Sequence, residues 1–412
     1  MDVNKPLALL AGLSPAQFMR RHWQKKPLLV RQAIPGFKPV MGRAALFALA
    51  ARQDVASRLI VQQGSGWRMK HGPLAPRSLP PMSKAGWTLL VQSVDGHDTA
   101  AHELLQQFRF VPDVRLDDLM ISYASPGGGV GPHFDSYDVF LLQASGRRRW
   151  RIGRQKDLTL QQGVPLKILQ HFEPDEEFVL EAGDMLYLPP AYAHDGVAEG
   201  ATGADGKNDD CMTYSVGFKA PSAGELAAQL LHRLAEFSED SLEDSRESGE
   251  GDTAVASIAD RRPAARLYRD RQQPATTTPA ALPSSLLDFA QRAVRDALKD
   301  PLALACALGE SMTEPKASVY FESPAQAFTG TSSAVAKALR LDARTRMMYD
   351  NDHVFMNGES YRARGADATL MRRLADRRAL AVQDLRKASA GALALLDDWH
   401  AAGWLHEDEA DC

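Results

Sequence analysis

The chain has 412 residues, with 48 Lys and Arg against 52 Asp and Glu, a formal net charge of -4. Lacking a basic excess, it is excluded as a whole-chain coat for nucleic acid or anionic membrane. A hydrophobic fraction of 44% and a mean hydropathy of -0.29 exclude wholesale disorder. Three cysteines, Cys211, Cys306 and Cys412, without a Cys-x-x-Cys pair, exclude a disulfide framework or a cysteine-based zinc site.

In chain order, Ser14-Pro15 predicts a helix start, and the helix is expected to run to Lys26-Pro27. Leu28 to Val30 reads as a strand, as does Trp87 to Val94. Between Leu119 and Phe218, short apolar runs alternate with Gly, Pro and Asp turns, the pattern of a β-sandwich or barrel. These runs are Leu119 to Tyr123, Val139 to Gln143, Trp150 to Ile152, Phe178 to Leu180, Met185 to Leu188 and Tyr214 to Phe218. Helical spacing then appears in Glu225 to Phe237 and in Leu286, Leu287, Ala290, Val294 and Leu298, with a further helix expected over Leu302 to Leu308. Residues 236–252 hold eight carboxylates against Arg246 alone and read as a solvated linker. Near the end, a helix is expected around Ser333 to Leu341. Asn357-Gly358 predicts a type I′ hairpin, and helices are expected at Ala368 to Leu374 and Gly391 to Trp404. From Leu341 to Cys412 there are ten Lys/Arg against thirteen Asp/Glu, so this end is not expected to bind duplex nucleic acid. No membrane-spanning run of roughly 18 apolar residues is visible. A cytoplasmic location is the expectation.

The chemistry concentrates in two motifs. Gly127 to Gly131 forms a glycine-rich turn before Pro132-His133-Phe134-Asp135, and on a strand His133 and Asp135 share a face. A second histidine, His194, follows 59 residues after Asp135, behind a strand and the Pro189-Pro190 turn. Two imidazoles and a carboxylate on one side of a metal leave the other side open, as in non-haem Fe(II) oxygenases. On the strand Arg147 to Ile152, alternation sets Arg148 with Trp150 and Ile152 on the apolar face. An arginine so placed needs an anion: a structural carboxylate or, favoured beside the metal set, the distal carboxylate of 2-oxoglutarate. His22, His71 and His97 read as ordinary surface or core histidines, and the tryptophans as core anchors.

With these residues in place, Asp117 to Pro221 resembles the Jumonji-C, cupin-like ribosomal oxygenases. The similarity lies in Pro-Gly-Gly-Gly-Val-Gly-Pro-His-Phe-Asp, Gly-Arg-Arg-Arg-Trp, Gly-Asp-Met-Leu-Tyr-Leu-Pro-Pro and Tyr-Ser-Val-Gly-Phe-Lys-Ala-Pro. The resemblance implies a mainly β, double-stranded β-helix (cupin/jelly-roll) catalytic domain over 1–221, with its core over about 95–221. It further implies a helical dimerisation segment over 222–310 and a small α/β winged-helix-like domain over 311–412. It implies Fe(II) held by His133, Asp135 and His194, 2-oxoglutarate held by Arg148 and Ser122, O2 as co-substrate, and a homodimer. The implied substrate is a large-subunit ribosomal protein, hydroxylated at an arginine (3-hydroxylation). For that target, Tyr137, Asp138, Asp117 and Asp118 are the candidate substrate contacts, offering an aromatic face and carboxylates. A ribosomal-protein histidine hydroxylase and a non-catalytic metal-binding cupin sensor stay open. Two positions depart from the family pattern: Ala191, where glycine is usual after Pro-Pro, and Lys219, where arginine is usual.

Overall fold

The structure, a computed structural model, describes residues 2–64, 66–200, 210–239, 256–257, 282–325, 328 and 337–407. The chain divides into two compact units, Met1–Ala220 and Pro221–Cys412. Most of the acidic 236–252 segment and the 200–210 loop lie outside the described residues.

In the first unit the strands are β1 (Leu28–Val30), β2 (Ser57–Gln63), β3 (Gly66–His71), β4 (Trp87–Val91), β5 (Leu116–Ala124), β6 (Val139–Ser145), β7 (Arg147–Gly153), β8 (Glu176–Leu180), β9 (Met185–Leu188), β10 (Ala193–Glu199) and β11 (Cys211–Phe218). They form an eight-stranded sheet in the order β1-β9-β6-β11-β5-β4-β2-β3 and a three-stranded sheet, β10-β7-β8. Strand alternation divides the side chains. Val139 and Leu141 of β6 join Leu186, Leu188, Trp150, Ile152 and Leu180 in a cluster between the two sheets. Phe140 and Leu142 turn the other way, into a larger core with Phe18, Trp23, Leu104 and Tyr187.

Helices α1 (Pro15–Arg21), α2 (Arg43–Ala50) and α3 (Thr99–Gln106) cover that outer face, contributing Phe18, Leu46, Leu104 and Leu105 to its core. α1 begins as its sequence requires. Ser14 Oγ accepts from the Gln17 N–H at 3.2 Å, Gln17 Oε1 accepts from the Ser14 N–H at 3.0 Å, and Pro15 sits in the first turn. It ends at Arg21, short of the expected Lys26-Pro27, because His22 caps it and turns follow.

The second unit opens with α4 (Ala223–Glu239), followed by the short β12 (Ala256–Ser257), α5 (Ser284–Ala297) and α6 (Pro301–Thr313). β13 (Leu339–Leu341), β14 (Met347–Tyr349), β15 (His353–Met356), β16 (Glu359–Arg362), α7 (Gly365–Arg377), β17 (Ala379–Leu380), α8 (Val382–Leu385), α9 (Ala390–Ala401) and β18 (Leu405–Glu407) complete it. Asn357 and Gly358, at φ 48° and 93°, make the expected hairpin between β15 and β16. The helix expected near Ser333 to Leu341 is corrected: its first residues lie outside the described ones, and Leu339 to Leu341 is a strand between β17 and β18. Leu339 and Leu341 are buried and Arg340 is exposed, a two-residue period that is too short to read against Ala- and Leu-rich flanks.

Candidate metal and anion site

β10 and the Gly127–Asp135 loop meet in one antiparallel bridge. The His133 N–H donates to the His194 carbonyl at 2.9 Å and the His194 N–H returns the bond at 2.8 Å. This pairing sets the two imidazoles with ring centroids 4.2 Å apart. It requires glycine nearby: a Cβ at Gly129 would stand 2.6 Å from the Gly196 carbonyl oxygen, and one at Gly196 would stand 2.6 Å from the Trp150 ring.

Each imidazole is oriented by a backbone carbonyl. Nδ1 of His133 lies 2.8 Å from the Gly131 oxygen and Nδ1 of His194 lies 2.9 Å from the Tyr192 oxygen. Nδ1 must donate to a carbonyl, so each Nε2 keeps its lone pair. Asp135 Oδ2 stands 3.7 Å from His194 Nε2, and one ligand atom from each of His133, Asp135 and His194 falls within 4.8 Å of the others. Burial, reinforced by His133 alongside, pushes His194 down to about 4, against the pull of Asp135. At neutral pH it is uncharged, as a ligating imidazole must be. Among the described residues, no other group of three such side chains converges in this way.

β7 divides its arginines as alternation predicts. Arg147, Arg149 and Arg151 face out and pair with Glu199, with Glu177 and Glu199, and with Asp195 respectively. Arg148 faces in, is 3% exposed, and leaves Nε and Nη2 buried without an acceptor. Its guanidinium lies 5.7 Å from the Trp150 ring centroid, and Trp150 in turn lies 5.8 Å from the His194 ring. In register, Arg148 stands opposite Ala198 and Ile152 opposite His194, so Trp150 fills the interval between the candidate metal ligand and the cation. On the facing sheet, Ser122 pairs with Thr213 and Thr213 with Gln143, all buried and on the inward side. Ser122 Oγ donates to the Thr213 carbonyl at 3.3 Å and Thr213 Oγ1 to Gln143 Oε1 at 2.8 Å. Thr213 and Gln143 escape a reading of the sequence because only the strand register sets them beside Ser122.

The four candidate substrate contacts separate. Tyr137 is 38% exposed, and burial of its hydroxyl together with Asp135, Asp118 and Asp117 pushes its pKa up. Asp117 and Asp118 lie within electrostatic reach of Tyr137, Asp118 being buried. Asp118 is steadied there by the Ser93 N–H at 3.1 Å and the Ser93 hydroxyl at 2.8 Å. Asp138 is corrected: it is fully buried and accepts from the Tyr187 hydroxyl at 2.6 Å, Gln24 Nε2 at 3.1 Å and Arg115 Nη2 at 3.4 Å. It turns away from its neighbour Tyr137 and ties the N-terminal segment to the sheet.

Two facing antiparallel sheets around an inward His-x-Asp…His set and a buried cation make a cupin-type fold. Residues 103–226 match the JmjC domain and residues 296–406 match the ROXA-like winged helix. It is 41% identical over 212 residues to the ribosomal protein uL16 3-hydroxylase of Escherichia coli K12, covering 51% of this chain and 53% of that one. To a probable ribosomal oxygenase of Haemophilus influenzae it is 34% identical over 219 residues, 52% of each chain. The matched region therefore spans about half the length of these curated relatives. The structure of the E. coli ribosomal oxygenase YcfD in complex with cobalt and 2-oxoglutarate superposes with a TM-score of 0.73 at 28% identity, over 96% of this chain and 99% of that one.

Proposed function

We propose that the protein is an Fe(II)- and 2-oxoglutarate-dependent hydroxylase acting on an arginine of a large-subunit ribosomal protein. The observation that carries this reading is the pairing of an open three-ligand set with a buried, acceptorless Arg148 inside one barrel. An unpaired buried cation is costly, and a dicarboxylate reaching from the metal ligands to Arg148 relieves it. His133, Asp135 and His194 hold the iron, and Arg148 and Ser122 hold the co-substrate's distal carboxylate. With 2-oxoglutarate and O2, the iron supplies C–H hydroxylation coupled to decarboxylation. The chain's own task is to position and to exclude water: Trp150, Leu141 and Leu186 wall the site, and the Gly131 and Tyr192 carbonyls keep both imidazoles in the ligating tautomer.

Asp117, Asp118 and Asp135 around Tyr137 favour a cationic, planar target such as a guanidinium. The names of the E. coli and H. influenzae relatives, a ribosomal protein uL16 3-hydroxylase and a probable ribosomal oxygenase, support a ribosomal protein as substrate. Incubation of the ribosomal protein with enzyme, Fe(II), 2-oxoglutarate and O2 should add one oxygen atom by intact mass, located to an arginine by fragmentation and absent with Asp135→Ala. Location to a histidine would make it a histidine hydroxylase. Metal binding without 2-oxoglutarate turnover would make it a sensor.

We also propose a homodimer through the helices of the second unit. Leu287, Val294 and Leu298 form one stripe on α5 and are 56%, 47% and 48% exposed, and a second copy of this chain is the occupant assigned to them. Light scattering should give twice the chain mass for the wild type and a monomer for Leu287→Glu/Val294→Glu; a monomeric wild type at micromolar protein rejects the dimer. No helix among the described residues is long and apolar enough to cross a membrane. A ribosomal substrate would place the activity in the cytoplasm.

A further inference from the structure

We infer that Arg58 is a positioning residue that grips a main-chain carbonyl of the substrate polypeptide beside the mouth of the barrel. This rests on the hydroxylase reading above.

Arg58 lies on β2, directly paired with Leu90 of β4 on one side and His71 of β3 on the other; Leu90 is itself paired with Ser122. Directly opposed residues of antiparallel strands put their side chains on one face. Arg58 therefore shares the face of Ser122, two strands further out. Trp67 and Met69 alternate with His71 onto the same face, and the Trp67 ring lies 2.8 Å from where a Gly131 Cβ would stand, two residues before His133. The platform carrying Arg58 thus runs up to the loop that bears the first candidate metal ligand.

Its guanidinium is unmatched. Nε is buried without an acceptor, and no ion pair or hydrogen bond engages the side chain among the described residues. Arginine nitrogens in the same condition occur on Arg148 and Arg378. For Arg378 the other nitrogens donate to the Thr345 and Asp342 carbonyls at 2.9 and 2.6 Å, so its charge is met. Arg58 and Arg148 both stand on the barrel-facing side of their sheets. Arg148 is enclosed and suits a small dianion, whereas Arg58 is only half-buried and open to a ligand arriving from solvent.

A buried cationic N–H without an acceptor is destabilising, so its natural complement is an oxygen supplied by the ligand. Asp135, Asp118 and Asp117 act on Tyr137, and on the hydroxylase reading above they take a cationic segment. Such a segment offers few carboxylates, but every residue offers a carbonyl, to which a guanidinium donates well.

The test uses the full chain with Fe(II) and 2-oxoglutarate, and a uL16 fragment spanning the candidate arginine as probe. If the wild type leaves the fragment unmodified, the hydroxylase reading falls and this inference falls with it. If the wild type modifies it, Arg58→Met should raise KM for the fragment about tenfold with kcat held within about twofold. Calorimetry with Mn(II) in place of iron should show Kd weakened by the same factor. Arg58→Lys, which keeps one cationic donor and serves if the methionine variant does not fold, should recover part of the loss. Fragment KM and Kd unmoved in either variant would overturn the inference. So would a fall in kcat accompanied by weaker 2-oxoglutarate binding, which marks a structural role.

Discussion

Arg148 carries opposite consequences for function and stability. Its buried nitrogens lack acceptors in the protein alone, so the side chain is a liability until a carboxylate arrives. Arg148→Met should therefore weaken 2-oxoglutarate binding about 100-fold, since a charge-assisted bidentate contact is lost. The same variant without ligand should unfold at an equal or higher temperature. Calorimetric titration and thermal unfolding together check both signs, and a large loss of ligand-free stability would show that Arg148 is held by the fold itself. Ala191 is a second case. It adopts φ 60° in the turn after Pro189-Pro190, where its N–H bonds the Asp135 carbonyl at 2.7 Å. A left-handed conformation costs a residue with a Cβ about 1 kcal/mol, so Ala191→Gly should raise the melting temperature by about 2 °C. An unchanged or lower value would show that the turn tolerates alanine without strain.

Among the elements, β7 and its neighbours show how one strand serves two environments. Its outward Arg149 sits in an exposed ion pair with Glu177, which contributes little, while its inward residues line the candidate site. Around β13, Asp342 bridges the bonds that join strand to turn: Arg344 Nε donates at 2.7 Å and His406 Nε2 lies 3.0 Å away. Burial opposes ionisation of Asp342, but the donors from Arg344 and His406 outweigh it and hold the carboxyl at about 2. Because the folded value lies below that of a free carboxyl, the stabilisation is present at neutral pH and lost as pH falls through about 4 to 2. Asp342→Asn should cost about 2 kcal/mol at pH 7 and flatten the acid dependence over that window, as read from urea melts of the second unit's transition. An acid dependence matching the wild type would reject this assignment.

For the whole molecule, the two units with separate cores predict separable responses. The three candidate ligands join a loop to a strand 59 residues onward, so a metal bound there would cross-link the first unit. At a hundred-fold excess of metal over its Kd, the first unit should gain about 2.7 kcal/mol. A chelator should lower that transition and leave the other in place. Calorimetric scans of the intact chain with and without Mn(II) check this, and a metal-dependent shift of both transitions would contradict it.

Local periodicity was enough to place much of this protein. The inward Arg148, the capped start of α1 and the Asn357-Gly358 hairpin follow from spacing and residue type, because a side chain's face is decided within a few residues, whereas His133 and His194 meet through the bridge between the Gly127–Asp135 loop and β10. Other features were not legible there. The sequence does not show β2, β3 and β10, and it offers Asp138 as a candidate substrate contact, whereas the fold sets Tyr187, Gln24 and Arg115 against it. Thr213 and Gln143 beside Ser122, and Arg58 in the same row, depend on the register of strands far apart in the chain. Alternation along a strand is a local property of the backbone; which strand lies alongside, and whether a charge finds its partner, is settled only when distant segments pair.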